Sequence, residues 1–586
     1  MKKLMDKFRL FILLLFCSSI LLSQKKDDDK IATEEVIVIK SYTPILNEAF
    51  KIKSAPIIPN SVFSPKKNIL YKFKDIPVVS TFQPNKASPL KLKQRKASIP
   101  FNTIFSGAYG NKNQLYLNVS SVVELDRKQR FGFRFYNDGF SNNLNNTLLK
   151  SNQNYTDFGL HHNLRSSEYN VNTHLKFSSN RDNYFGLYKN IWDRFLLNNI
   201  NPEVIRNNFK FRTHWNWYNF FLRGITFQAN ITSDNFNTLE QQLALKNDFQ
   251  IELGPGKLKG ELKLIGFNTY FESSFFEKSI QEFTQGLGEL DLFWHSNKSD
   301  LKIKFGGGIG YLLGVNEISN NIVYYPHIEL LYQKPGNTLL PYLKGNGGIT
   351  FNTYNSLSKE NPYLAPTSNL TPSLNKYNLN IGIRSRLASI LNFDMGFIFD
   401  KIENFSYFER LPYDNKNNLA PFRLSNSFHS NYVDTDLYGF RASIRIDLVK
   451  DNFVRFETRY NHFEIEENLT LWNIPSLEMN WESQIKLRDF VALSFNGSLW
   501  GVRDSSFRPI FFEQDLVDAQ AIPSNTETLP FFFRTSTHIT FKISEQFDLF
   551  IKGRFNSAGI HGRWAYYPEA PLLILGGLTY KFDFQY

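Results

Sequence analysis

The chain has 586 residues, beyond the roughly 100 to 200 of an ordinary domain, so it forms either several domains or one large closed architecture. A hydrophobic share of 42% and a mean hydropathy of −0.34 exclude a bundle of membrane-spanning helices, and 16% aromatics in short segments between Asn, Ser and Gly favour strands. The formal charge of +12 admits nucleic acid, anionic head groups or an anionic solute and does not choose among them.

Residues 1–24 carry Lys2, Lys3, Lys7 and Arg9, then the apolar run 10–15 and Ile20, Leu21 and Leu22 before Ser23. A basic head, an apolar centre and a small residue at the cut define a secretory signal peptide, with cleavage expected after Ser23 or Gln24. The one cysteine, Cys17, lies inside this segment. The mature chain is therefore expected to hold no disulfide and no Cys-based zinc or redox site. Beyond residue 23 no stretch approaches the roughly 18 apolar residues of a spanning helix, so a mature chain embedded in a membrane has to be a closed barrel.

Residues 25–100 are rich in Lys, Pro and Ser and poor in patterned apolar positions, and they read as an irregular N-terminal extension. Within it, 34–40 reads Glu-Glu-Val-Ile-Val-Ile-Lys. A short extended Val/Ile segment just after a signal peptide suits addition as a strand to a partner's sheet.

From about residue 102 to the end, segment after segment alternates apolar and polar side chains, which sends successive residues to opposite faces of a strand. Leu258, Leu262 and Leu264 oppose Lys257, Lys259, Glu261 and Lys263, and Leu301, Ile303 and Phe305 oppose Lys302 and Lys304. Phe440, Ala442, Ile444 and Ile446 oppose Arg441, Ser443, Arg445 and Asp447. Segments such as 375–387, 440–449 and 533–544 hold the pattern for ten residues or more. Soluble strands average about five or six, whereas about 9 to 11 cross an outer membrane when tilted. The expectation is an all-β chain: over 101–586 a transmembrane antiparallel outer-membrane β-barrel of about 22 strands. Short turns such as 126–129 and 335–337 alternate with long loops around 181–206, 354–372, 411–431, 509–530 and 562–571. Short turns facing the periplasm and long loops facing outside would place both the N-terminal extension and the C-terminus on the periplasmic side.

The last strand puts Leu578, Tyr580, Phe582, Phe584 and Tyr586 on one face. It resembles the C-terminal signal that the barrel-assembly machinery recognises in outer-membrane proteins. The inward face of the barrel would carry Lys257, Lys259, Lys263, Lys302, Lys304, Arg441, Arg445, Arg534, Lys542 and Lys581, because charge facing lipid costs about 2 to 4 kcal/mol at the midplane. These residues either give a basic lumen that favours anions or pair with acids across strands. No catalytic arrangement emerges: the ten His are scattered, adjacent His161 and His162 face opposite sides of a strand, and no HExxH, Walker A or GxSxG motif is present. No enzyme activity, cofactor or metal is expected. Nucleic acid is also not expected, because the basic residues are spread over many strands and the signal peptide takes the chain out of the cytoplasm.

Glu35, Val36, Ile37, Val38 and Ile39 resemble a TonB box. The longer stretch 34–53, together with Ile-Pro-Val-Val-Ser-Thr-Phe-Gln-Pro at 76–84 and the barrel, resembles the TonB-dependent receptor-like outer-membrane proteins of Bacteroidota. The resemblance implies a barrel in the outer membrane, surrounded by its lipid, that passes or takes up a solute, with the box contacting TonB. It also implies a folded plug between box and barrel, and residues 25–100 are too few and too irregular to supply one. They could thread the lumen as a partial stopper or stay periplasmic and bind another envelope protein. A structural or assembly subunit docking a periplasmic partner through the extension is the other reading.

Overall fold

The computed structural model describes residues 69–72, 101–187, 192, 197–272, 275, 280–296, 300–315, 321–387, 390–414, 420–448, 452–467, 469–507 and 525–584. The chain divides into two compact units, 1–95 and 96–586. Of the first, only Ile69 to Lys72 are described, exposed and without regular structure. The TonB-box-like residues Glu35 to Ile39 lie outside the described residues.

The second unit is a 22-stranded antiparallel sheet in which each strand pairs with its neighbours in sequence. The first strand, Thr103–Gly110, closes the cylinder on the last, Leu572–Phe582, with Thr103 opposite Phe582 and Gly110 opposite Leu575. Closure leaves no edge strand, so every wall backbone group can be paired without water. The alternation decides which face meets what. Phe305, Phe397, Ile381 and Phe209 point outward and are 63%, 58%, 43% and 43% exposed, a density of bare apolar surface that only lipid would cover. Outward Tyr109, Tyr311 and Tyr324 lie toward one rim and Trp215, Tyr332 and Tyr580 toward the other, two aromatic belts flanking the apolar band.

The two rims differ as the turn lengths predict. At one rim the connections are short, among them 125–128, 166–168, 254–255 and 489–490. At the other lie 141–152, 184–202, 351–372, 411–427, 501–531 and 557–571. Both described ends of the barrel, residues 101 and 584, lie at the short-turn rim. The strands run longer than the alternation suggests: Phe428–Asp447 and Leu391–Arg410 have 20 residues each and extend past the apolar band into the long-loop rim. Loop 501–531 contains a small hairpin, Arg503–Phe507 paired with Asn525–Leu529, separate from the wall. Loop 351–372 contains the helix Tyr354–Glu360, started by the Thr353 hydroxyl accepting from the Ser356 amide.

The glycine run 306–310 sits in the wall strand Leu301–Leu313 and serves close packing. A Cβ on Gly308 would fall 2.3 Å from the ring of Tyr325 on the next strand, so only glycine leaves room for that ring against the wall.

The lipid-facing assignment is directly testable. Phe397→Arg is expected to cost about 2 to 4 kcal/mol in a lipid-based unfolding titration. Ser443→Arg, on the lumen face with Asp394 and Glu457 directly across on its two neighbouring strands, is expected to cost little. Equal costs at the two positions would contradict the assignment.

Candidate functional site

Two regions of the barrel carry chemistry: the mouth at the long-loop rim and the lumen wall beneath it. Amino acids in long loops ordinarily face water, but here the loops bury their apolar residues against one another. Leu144 and Leu149, Tyr184 and Phe185, Tyr354, Leu357 and Leu364, Phe422 and Leu424, and Trp564 and Tyr567 come from five different loops. They join wall residues Phe271, Leu287, Leu312 and Val323 in one hydrophobic core. Tyr184, Tyr354, Leu364, Leu424 and Phe428 in it are fully buried. The rings of Tyr363 and Tyr567 stack, and Trp564 packs against Phe408 and Phe428. Gly186 is required here, since a Cβ on it would meet the Tyr567 ring at 2.3 Å.

Loop 351–372 is pinned to the wall by buried hydrogen bonds. The carboxylate of Glu240, itself fully buried in the strand Leu239–Leu253, accepts the Tyr354 amide at 2.6 Å, the Asn355 amide at 3.2 Å and the Thr269 hydroxyl at 3.1 Å. The Tyr354 hydroxyl donates to Asp234 at 2.6 Å, and Gln285 donates its amide to the Leu370 carbonyl at 2.7 Å. Three donors at the first turn of the helix and on the wall thus satisfy the carboxylate at once, which is what makes its burial tolerable.

Buried arginines tie the remaining loops together through backbone carbonyls. Arg206 donates to the carbonyls of Pro362 and Leu364 and to the Tyr354 hydroxyl, 3.9 Å from the Asp182 carboxylate. Arg410, 1% exposed, donates to the carbonyls of Ser425, Gly186 and Ala565, which belong to three loops. Arg503 donates to the carbonyls of Gly501, Pro530, Gly562 and Arg563, and Arg423 to Phe275 and to Asp414. The planar guanidinium, with five donors, can hold several carbonyls in this way where an ammonium cannot. Burial, and next the neighbouring Arg563, pull Arg503 down to about 9, which leaves it charged at neutral pH. Burial pushes the phenols of Tyr363 and Tyr567 well up, so both stay neutral, Tyr567 donating to the Asn426 carbonyl and Tyr363 accepting from Gln153.

The lumen wall bears the basic residues expected from the alternation, and most have partners. Lys257 meets Glu252 at 3.0 Å, Lys263 meets Glu289 at 2.8 Å and Arg445 meets Asp447 at 2.7 Å. Arg441 lies 3.6 Å from Asp394, which also holds Arg384 at 3.0 Å. Arg534 pairs with Glu569 and Lys581 with Asp548, each at 2.5 Å. Lys304 sits 3.8 Å above the Phe293 ring. Lys259, Lys302 and Lys542 have no carboxylate within ion-pair distance among the described residues. Ion pairs therefore account for six of the ten, four of them across strands. Beyond residue 100 Lys and Arg outnumber Asp and Glu by a single residue, so the positive excess of the chain lies almost wholly in 1–100.

Leu578, Tyr580 and Phe582 share the outward face of the last strand, and Leu578, Tyr580 and, just past it, Phe584 are exposed; Tyr586 lies outside the described residues. His161 and His162 point apart, His161 stacking on His174 and His162 within 3.3 Å of Gln129. The mouth residues were missed by sequence reasoning. Their sole signal was the length and aromatic content of the loops that carry them.

No protein-family model matches the chain, and no curated protein matches it by sequence. Solved structures do match in fold. The iron transporter FrpB from Neisseria meningitidis superposes with a TM-score of 0.58 at 8% identity, over 83% of this chain and 82% of that one. The siderophore receptor PirA from Acinetobacter baumannii gives 0.56 at 10% identity, over 83% and 81%. The pyoverdine outer membrane receptor FpvA from Pseudomonas aeruginosa, bound to pyoverdine, gives 0.58 at 10% identity, over 83% and 79%. At such identities the likeness is one of architecture. The class is thus defined: a closed 22-stranded antiparallel β-barrel of the fold seen in outer-membrane receptors.

Proposed function

We propose that this chain is an outer-membrane barrel for solute uptake, of TonB-dependent-receptor type, with its short turns, N-terminal extension and C-terminus on the periplasmic side. The observation that carries the reading is the closed 22-stranded wall in the fold of iron and siderophore receptors, apolar outside and charged inside. Energy coupling is assigned to Glu35, Val36, Ile37, Val38 and Ile39, whose β-former run can add to a TonB sheet. The final strand, with Leu578, Tyr580, Phe582, Phe584 and Tyr586, is assigned to recognition by the barrel-assembly machinery. The inward Lys and Arg residues, Lys259, Lys302 and Lys542 foremost, bias the lumen toward anions. On this reading the loops packed over the long-loop rim supply the closure of the pore.

Deleting 34–40 is expected to abolish energy-dependent uptake while the purified protein keeps the heat-modifiable gel mobility of an assembled barrel. Uptake at the wild-type rate in that variant would refute TonB coupling. The packed mouth favours a second reading, a non-transporting subunit of an envelope complex that docks a periplasmic partner through its extension. Stoichiometric co-purification of other envelope proteins from native membranes in mild detergent, with a barrel silent in planar bilayers, would select it.

A further inference from the structure

Beneath the loop core, the lumen wall is indented where the strands Gln114–Glu124, Gln129–Phe140, Val491–Trp500, Phe532–Lys542, Phe547–Asn556 and Leu572–Phe582 present their inward faces. The recess has a volume of about 270 Å³ and is lined in part by Leu573, which also packs into the loop core. That volume has room for several waters or one small solute. Its two sides differ in charge. Lys552 and Arg554 stand on one strand, with His538 and Ser536 directly opposite them on the next. Across the recess is Asp138, whose carboxylate accepts the Gln114 amide at 3.2 Å and the Tyr136 hydroxyl at 3.3 Å.

The cations on the first side are under-used by the protein. Lys552 has no carboxylate within ion-pair distance among the described residues; its ammonium instead lies 3.4 Å from the centre of the Tyr116 ring, which fixes its position without neutralising it. Arg554 reaches Asp138 only at 4.0 Å, too far for a direct hydrogen bond. Elsewhere in the lumen Lys263, Arg445 and Lys581 are paired at 2.8 Å or less. A positive pair beside a hydroxyl, facing one anchored carboxylate across a short gap, is complementary to a molecule with an anionic end and a hydrogen-bond-donating end.

We propose that this recess is a solute-binding site for a small carboxylate that also bears a hydroxyl or ammonium group. The carboxylate is held by Lys552 and Arg554, and the donor end by Asp138, with Gln114 and Tyr136 positioning the Asp138 carboxylate. The proposal rests on the uptake reading for its biological sense, but the binding itself does not depend on transport.

The test titrates the purified full-length mature protein in detergent with glycerate, propionate and glycerol and reads binding by saturation-transfer NMR. Glycerate is expected to bind about tenfold more tightly than propionate, which lacks the donors, and glycerol, lacking the carboxylate, is expected not to bind. Arg554→Gln and Lys552→Met are each expected to weaken glycerate binding about tenfold or more, and Asp138→Asn to erase the preference over propionate. Heat-modifiable mobility establishes assembly of each variant, and two independent cation variants keep the test available if one fails to assemble. No saturable binding of either carboxylate, the result if water alone fills the recess, would overturn the proposal, as would binding that survives both cation variants. Deletion of 34–40 separates the two ideas: loss of uptake with retained glycerate binding leaves the site standing, whereas intact uptake without binding removes it.

Discussion

Removing the last strand and its tail, 572–586, is expected to abolish accumulation of the protein in the outer membrane. The strand Leu572–Phe582 is hydrogen-bonded on both sides, to Thr103–Gly110 and to Phe547–Asn556. Without it two edges of the wall would face lipid with unpaired N–H and C=O groups, each costing several kcal/mol. A handful of such groups exceeds the roughly 5 to 15 kcal/mol net stability of a folded protein. The measurement is membrane fractionation followed by gel mobility with and without heating; a truncated chain that still ran as a compact, heat-modifiable barrel would refute the closure argument. Phe582→Ala and Phe584→Ala separate assembly recognition from closure, because they leave the backbone pairs intact. Slower appearance of folded barrel in these variants, at unchanged final stability, is the outcome expected if this face is read by the assembly machinery.

Replacing Arg410 by Met is expected to open the mouth while sparing the wall. The side chain is almost fully buried and donates to three carbonyls from loops 184–202, 411–427 and 557–571. Losing it leaves those acceptors without this donor inside a hydrophobic core, at a cost of about 1 to 3 kcal/mol for each that finds no other partner. The backbone pairs of the wall do not depend on side chains, and the carbonyls that Arg410 holds belong to loops, so the loss falls there. Limited proteolysis is expected to cut the long loops much faster than in wild type, and planar-bilayer recordings to show current above the wild-type level. Glu240→Gln, which weakens the grip on the Tyr354 and Asn355 amides, is expected to act in the same direction but less strongly. Unchanged cleavage and no current from a correctly assembled Arg410→Met barrel would place the barrier to passage elsewhere.

The amino-acid sequence by itself determined the wall. Period-two alternation is a local property: Leu578 and Tyr580 point away from Thr579 and Lys581 because successive Cβ atoms of any strand do, whatever lies around them. No apolar run was long enough for a spanning helix, so a membrane location required a closed barrel, and loop lengths already separated its two rims. The tertiary structure decided what those rims and the lumen do. Arg206 finds Leu364, Arg410 finds Ala565, and Tyr363 stacks on Tyr567, across separations of more than 150 residues that no local period records. Likewise, whether an inward lysine lies opposite a carboxylate, as Lys263 does with Glu289, or stands without one, as Lys552 does, depends on the register between strands. That register is set by closure of the whole sheet, not by the strand that carries the charge.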